Sequence, residues 1–152
     1  MSATRQVPYG AFNFTVDLGA GTTTGPDAGF EECGPFAERV EVIEYRNGNA
    51  LTNEPSKLIG LSTVQDVSFK RGVMGSATLY DWFDQTRNGS ISAIRDVTVT
   101  LLSEDRSTQV TMWKLVRTRP VRYRGGPLHG RSSDLAIEEL VLAYERLEVM
   151  AS

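Results

Sequence analysis

Alternation of apolar and polar positions dominates the first third of the chain. Between residues 9 and 18, Phe12, Phe14, Val16 and Leu18 alternate with Ala11, Asn13, Thr15 and Asp17. That two-residue period predicts a half-buried strand. The run "GAGTTTGPDAG" (19–29) is turn-rich and predicts a connection. "FEECG" predicts a short strand and "AERVEVIEYRNG" a longer one, with Val40 and Val42 on one face and Arg39, Glu41 and Ile43 on the other. Asn47-Gly48 favours a tight turn, and 47–57 reads as a long polar loop. "STVQDVSFKRG" predicts a further strand, broken by Gly72 and Gly75.

The period then changes. Leu79, Trp82, Phe83 and Thr86 recur at helical spacing after Ser76, whose hydroxyl suits an N-cap, and Asn88-Gly89 offers a left-handed stop. A helix is predicted over 77–87. Aromatics at that spacing are more often core than partner-binding, because one helix must cover an open sheet face. "IRDVTVTLLSED" and "QVTMWKLVRTRP" predict a hairpin around "SEDRS", and "VRYRGGPL" a short piece ending at Gly-Gly-Pro.

The closing stretch, 132–150, carries two periods at once. In steps of three and four, Ile137, Leu140, Val141, Tyr144 and Leu147 make a helical stripe. In steps of two, Leu140, Leu142 and Tyr144 face one way and Val141, Ala143, Leu147 and Val149 the other. Local pattern leaves both open.

Composition narrows the classes. The 152 residues fit a single domain, 1–152, with 40% hydrophobic and 23% charged residues, ordinary for a soluble globular protein. There is no apolar run of membrane length, so no membrane insertion as a monomer is expected. The start lacks a signal-peptide layout, which predicts synthesis in a cytoplasm. A single cysteine, Cys33, excludes an internal disulfide and any multi-cysteine metal site. Charge is unevenly spread around the net −3: residues 1–60 carry 8 acids and 4 bases, 61–134 carry 7 and 11, and the last 18 carry 4 and 1. Such an order suggests surfaces of opposite sign that bind a partner or another copy.

Candidate chemistry is sparse. "GAGTTTG" faintly resembles a phosphate loop, but lacks the following helix and the Lys-Ser/Thr pair that hold phosphate and magnesium. The only histidine, His129, lies near Ser132, Ser133 and Asp134; a turn before a strand explains them more simply than a hydrolase triad. No catalytic, cofactor or metal residues are therefore assigned. Lys114, Arg117, Arg119, Arg122, Arg124 and Arg131 form a basic stretch interleaved with Trp113 and Tyr123. It suits nucleic-acid contacts, docking onto acidic faces of neighbouring copies, or a solvated face. The acidic overall balance favours docking.

Read in order, "EVIEYRNGN", "KLIGL", "VSFKRGV", "LYDWFDQ", "IRDVTVTLLSED", "WKLVRTRPVRYRGGPL" and "SSDLAIEELVLAYERLEV" resemble the tail-tube family of contractile phage tails and related injection systems, over roughly 9–149. Each piece is weak alone; their order and spacing carry the resemblance. It implies a mainly β fold, an antiparallel sandwich or small barrel with one flanking helix, and a strand at about 136–149.

The resemblance also implies a structural, non-enzymatic role. Homohexameric rings would stack helically into a hollow tube, driven through a target envelope when a sheath contracts. Expected partners are the sheath, a baseplate or tube initiator, a tail terminator, and DNA or protein cargo held without sequence specificity. The particle would be a virion or an injection machine. The alternative is a freely secreted hexameric ring of the type VI secretion kind that carries effectors. Arg39, Glu41, Thr98, Thr100 and Thr111 are expected to line the lumen. A ring-stacking loop is expected at 46–58, with Arg46, Asn47, Leu51, Glu54, Pro55, Lys57 and Leu58 its contacts, mobile until rings stack. Arg117, Arg119, Arg122 and Arg124 would face a neighbouring subunit or the sheath. Cys33 is either an inert thiol or a bridge to a second protein such as the sheath.

Overall fold

A computed structural model describes residues 5–19, 21 and 28–151. It is mainly β, with nine strands and one α-helix among the described residues. The strands are β1 (Phe14–Asp17), β2 (Glu32–Gly34), β3 (Glu38–Tyr45), β4 (Ser56–Val64), β5 (Val67–Gly72), β6 (Arg95–Leu102), β7 (Gln109–Gly125), β8 (Ile137–Ala143) and β9 (Arg146–Ala151). The helix α1 spans Thr78–Arg87.

All pairings are antiparallel. One set runs β1–β6–β7–β9 and the other β7–β8–β5–β2, so β7 belongs to both. Its first half, Thr111–Val116, pairs with β9, and its second, Arg119–Gly125, with β8. Strands β8 and β9 therefore lie end to end along β7, and Glu145 N–H donating to Val116 O (2.9 Å) carries the ladder across the break between them. There Arg117 takes φ 56°, left-handed for a residue with a side chain. This bent ribbon folds one sheet over the other into a sandwich, by the corner device of orthogonal packings. No closed barrel forms among the described residues.

The inward positions follow the two-residue period. Val16, Val97, Val99 and Leu115 face in from one sheet; Val67, Phe69, Leu140 and Leu142 face in from the other. Leu79 and Trp82 of α1 complete this core, and Phe83 packs at its margin. Each such side chain contributes about 1.5–3 kcal/mol by leaving water. Trp82 Nε1–H donates to Ala93 O at 2.6 Å, and the Arg95 guanidinium lies 4.9 Å from the indole centre. Ser76 sits one residue before the helix cap Ala77, and its Oγ accepts from Thr78 N–H at 3.4 Å. Gly89 (φ 79°) donates to Thr86 O and Ser90 to Gln85 O, both 3.0 Å, which satisfies the last carbonyls of the helix.

Four boundaries differ from expectation. The strand predicted at 9–18 is confined to β1, because its partner β6 ends at Leu102 and leaves nothing opposite Phe12, which is exposed. "STVQDVSFKRG" is divided at Gln65-Asp66 between β4 and β5. "VRYRGGPL" is largely not a separate piece: Val121–Gly125 extends β7. The C-terminal segment is strand, as the resemblance implies, but bends into β8 and β9 at Tyr144-Glu145 where its neighbour β7 bends.

Candidate functional site

Among the described residues, strands β3 and β4 pair only with each other. They form a two-stranded arm outside the sandwich, closed at its base by Gln65 N–H donating to Ala37 O at 2.9 Å. On one face Val42 lies opposite Ile59, with Glu44 opposite Lys57; on the other Ile43 lies opposite Leu58, with Tyr45 opposite Ser56. Val40, Val42, Ile43, Tyr45, Leu58, Ile59 and Leu61 are all exposed, so both faces show apolar surface to water. The register breaks between Val40 and Val42, where a Cβ on Gly60 would sit 3.3 Å from Glu41 Cβ. Isolated hairpins are marginal in water, and an unpaired strand edge invites another chain.

The loop expected at 46–58 ends earlier, at Pro55. Lys57 and Leu58 belong to β4 because Lys57 meets the opposite charge of Glu44 and Leu58 the apolar Ile43. Arg46 spends its donors within the loop, on Thr52 O (2.9 Å) and Ala50 O (3.2 Å), while Asn47 Oδ1 accepts from Tyr45 O–H at 2.8 Å. Leu51 at the tip is fully exposed, Glu54 is exposed and Pro55 half-buried.

The five residues expected in the lumen do not share one face. Thr98 and Thr100 lie on the face of β6 that bears Asp17 and Thr15, Thr98 half-buried but Thr100 buried at 6% exposure, while Val97 and Val99 point into the core on the other face. Thr111 pairs with Leu101 and so lies on the opposite face from Thr100, whose partner is Met112. Two residues of β6 and β7 fall on one face only when their registers match, and the hairpin fixes Thr111 out of phase. Arg39 and Glu41 are exposed on the arm.

The four arginines also divide. Arg117 Nε and an Arg119 terminal nitrogen both donate to Glu145 Oε2 at 2.8 Å, at the corner of the ribbon. Arg117's hydrogen bond, then the charges of both arginines, hold the Glu145 carboxyl below its ordinary range. Arg122 and Arg124 are exposed on the outer face of the second sheet. There the register sets Arg124, Glu139, Lys70 and Glu32 side by side, alternating in sign. Lys70 Nζ lies 3.8 Å from both Glu139 Oε2 and Glu32 Oε2. Reading the basic stretch alone missed these acids because they come from distant strands; a strand-by-strand match of outward charges would have found them.

Cys33 is half-buried and packs at the margin of the core. Burial, with the neighbouring Glu32 charge second, pushes its thiol up to about 12. The thiolate is the form that exchanges into disulfides, so this thiol is slow to do so.

At the end of β5 away from the arm's base lies an open groove of about 1530 Å³, between Phe30–Glu31, Met74 and the segment 126–137. Leu128, His129, Arg131, Asp134 and Leu135 along it are exposed. Ser132 Oγ accepts from Asp134 N–H (3.0 Å) and His129 Nδ1 from Arg131 N–H (3.3 Å), so both side chains close local turns. The glycine-rich loop falls largely on residues 20 and 22–27, outside the described residues. Of its start, Gly19 and Gly21 both donate to Asp17 Oδ1, at 2.9 and 3.0 Å. Among the described residues there is no group of three His, Cys, Asp or Glu placed to hold a metal, and no helix long and apolar enough to cross a membrane.

No curated protein matches the sequence. Solved structures are similar in fold. The tube terminating cap of the anti-feeding prophage superposes at a TM-score of 0.84 with 19% identity, covering 100% of this chain and 97% of that one. A sheath–tube complex of the PVC extracellular contractile injection system in its extended state gives 0.81 with 21% identity, covering 97% and 94%. Hcp1 from Flavobacterium johnsoniae is more distant, at 0.54 and 12% over 91% and 95%. The model of the T4-like virus tail tube protein gp19 matches residues 10–148. The chain therefore belongs to the T4-like virus tail tube protein gp19 family.

Proposed function

We propose that this tail tube protein closes into hexameric rings that stack helically into a hollow conduit, surrounded by a contractile sheath. The single observation that carries this reading is the arm: two strands with apolar side chains on both faces and, among the described residues, both edges unpaired, a surface that neighbouring copies would cover. A contact whose rotation closes makes a ring, and one that does not close makes a filament. A baseplate or initiator at one end and a terminator at the other are its expected partners, and DNA or protein cargo passes without sequence-specific contacts. The role is structural, with no reaction assigned. The higher similarity to contractile injection tubes than to Hcp1 favours this over a freely secreted ring. Thr98, half-buried, remains the lumen-facing candidate of β6, whereas Thr100 is covered within its own subunit. Arg122 and Arg124 are the exposed arginines for a neighbour or the sheath.

Replacing residues 48–55 with a short Gly-Ser turn tests the stacking part. No core residue is removed, so the subunit is expected to stay folded by circular dichroism while tubes disappear from electron micrographs. Full-length tubes from that variant would reject a stacking role for the tip. A bridge from Cys33 to a second protein is a separate proposal, opposed by the half-burial that pushes its thiol up. Tube protein running only as monomer in non-reducing electrophoresis of intact particles rejects the bridge.

A further inference from the structure

The arm leaves the sandwich through two chain crossings, each pinned by one side chain. Phe36 stacks on Trp113 of β7, with ring centres 5.1 Å apart and planes 11° from parallel, and Val64 packs at the margin of the core. Between the crossings Gln65 N–H donates to Ala37 O. Beyond these anchors β3 and β4 meet no third strand among the described residues. So narrow an attachment can act as a hinge, with Ala37 and Gln65 absorbing a change of angle.

Tyr144 lies beneath that attachment. The register Val67↔Leu142, continued by two residues, sets Tyr144 level with Gln65. Its ring belongs to the core, at 6% exposure. Its hydroxyl oxygen is buried and has no hydrogen-bond partner among the described residues. A buried hydroxyl without a partner is costly, and native structures leave few of them. Burial first, then the charges of Glu38 and Asp66, push the phenol above its ordinary value, so two carboxylates stand close to it without being bonded to it.

The two carboxylates are carried differently. Asp66 directly precedes Val67, which is wholly buried, and so stays with the sandwich. Glu38 opens β3 and travels with the arm. It pairs with Val64, and paired residues share a face, so Glu38 is on the side of the arm that Val64 turns to the core.

We propose that the arm is hinged at Ala37 and Gln65 and has a second, inclined position in which the Glu38 carboxylate accepts a hydrogen bond from the Tyr144 hydroxyl. The bond is made in one position and absent in the other, which gives the arm two settings. This device belongs to the single chain and goes beyond the tube reading: it sets where the arm points before any neighbour is met.

The test is a distance measurement on the unassembled subunit. Nitroxide labels are placed at Ile59→Cys on the arm and Arg122→Cys on the sandwich, in a Cys33→Ser background; Ile59 and Arg122 are exposed strand positions. Pulsed electron resonance should give a distance distribution with a component that Tyr144→Phe removes. That change deletes one oxygen and keeps the ring, and circular dichroism checks that the fold is unaltered. Glu38→Ala should remove the same component, and Asp66→Ala should leave it. Superimposable distributions for the parent and Tyr144→Phe overturn the latch, since solvent then serves the hydroxyl at a fixed base. Loss of the component with Asp66→Ala but not with Glu38→Ala overturns it too, because Asp66 does not travel with the arm. Neither result bears on whether tubes form, which micrographs decide separately.

Discussion

Glu138 holds the one charge network that the core encloses among the described residues. Its Oε1 accepts from Arg71 Nε at 2.6 Å and its Oε2 from Tyr123 O–H at 2.8 Å, and both charged side chains are almost wholly buried. Removing one member of such a pair strands the other charge away from water. Glu138→Leu is expected to cost about 3–5 kcal/mol in chemical denaturation. The triple change Arg71→Met, Tyr123→Phe, Glu138→Leu removes the polar groups together and should recover most of it. A loss below about 1 kcal/mol in the single variant would show the pair to be dispensable. At the surface, Glu104 accepts from Arg5 at 2.5 Å and from Gly10 N–H at 3.2 Å, and the Arg5 hydrogen bond leads in lowering its carboxyl from 4.5 to about 2. A depressed folded-state value means stability that is present above the ordinary value and lost as pH falls through about 2. Carboxyl-carbon NMR should therefore show Glu104 titrating near 2; a midpoint near 4.5 rejects the clamp. The buried pair was half-legible in sequence. Arg71 is in phase with Val67 and Phe69, and Glu138 with Leu140 and Leu142, so two inward positions carry opposite charges. Only the register of β5 on β8 shows that they meet.

At the level of elements, period and punctuation sufficed where a strand or helix ends for local reasons. Asn88-Gly89 stops α1, and the two-residue period of Leu140, Leu142 and Tyr144 outlasted its helical rival because β5 and β7 lie on either side of β8. What local pattern did not carry was the corner. Nothing in "KLVRTRP" announces Arg117 at positive φ, which the fold imposes by bending β7 from one sheet to the next. The arm was also hidden, since Val40, Val42 and Ile43 look like core positions and become surface only for want of a third strand. That exposure gives a prediction. Val42→Lys should leave the isolated subunit's stability within about 0.5 kcal/mol, as at other surface sites, yet prevent tubes by placing a charge in a surface that assembly covers. A matching loss of subunit stability would mean that the arm packs on its own sandwich.

For the whole molecule, the order of segments and the family were legible, and with them the mainly β class, the single helix and the structural role. The assignment of faces was not. Thr111 reads like Thr98 and Thr100 in sequence, and only the pairing of β6 with β7 puts it on the other side. The sharing of β7 by both sheets also orders events in time. The β6–β7 hairpin closes over six residues, 103–108, so it pays little loop entropy, whereas β1 must find β6 and β5 must find β8 across long stretches of chain. Because β7 is a member of each sheet, that hairpin would offer a template to both halves at once, which predicts that the N-terminal strand joins last. In stopped-flow refolding, Val99→Ala should chiefly slow the folding limb, and Val16→Ala, on the late strand, should chiefly speed unfolding. The opposite partition would place the nucleus on β1. Even once the sandwich has closed, the exposed apolar arm has nothing of its own chain to cover it, so the rate of synthesis relative to tube growth sets how much chain goes astray.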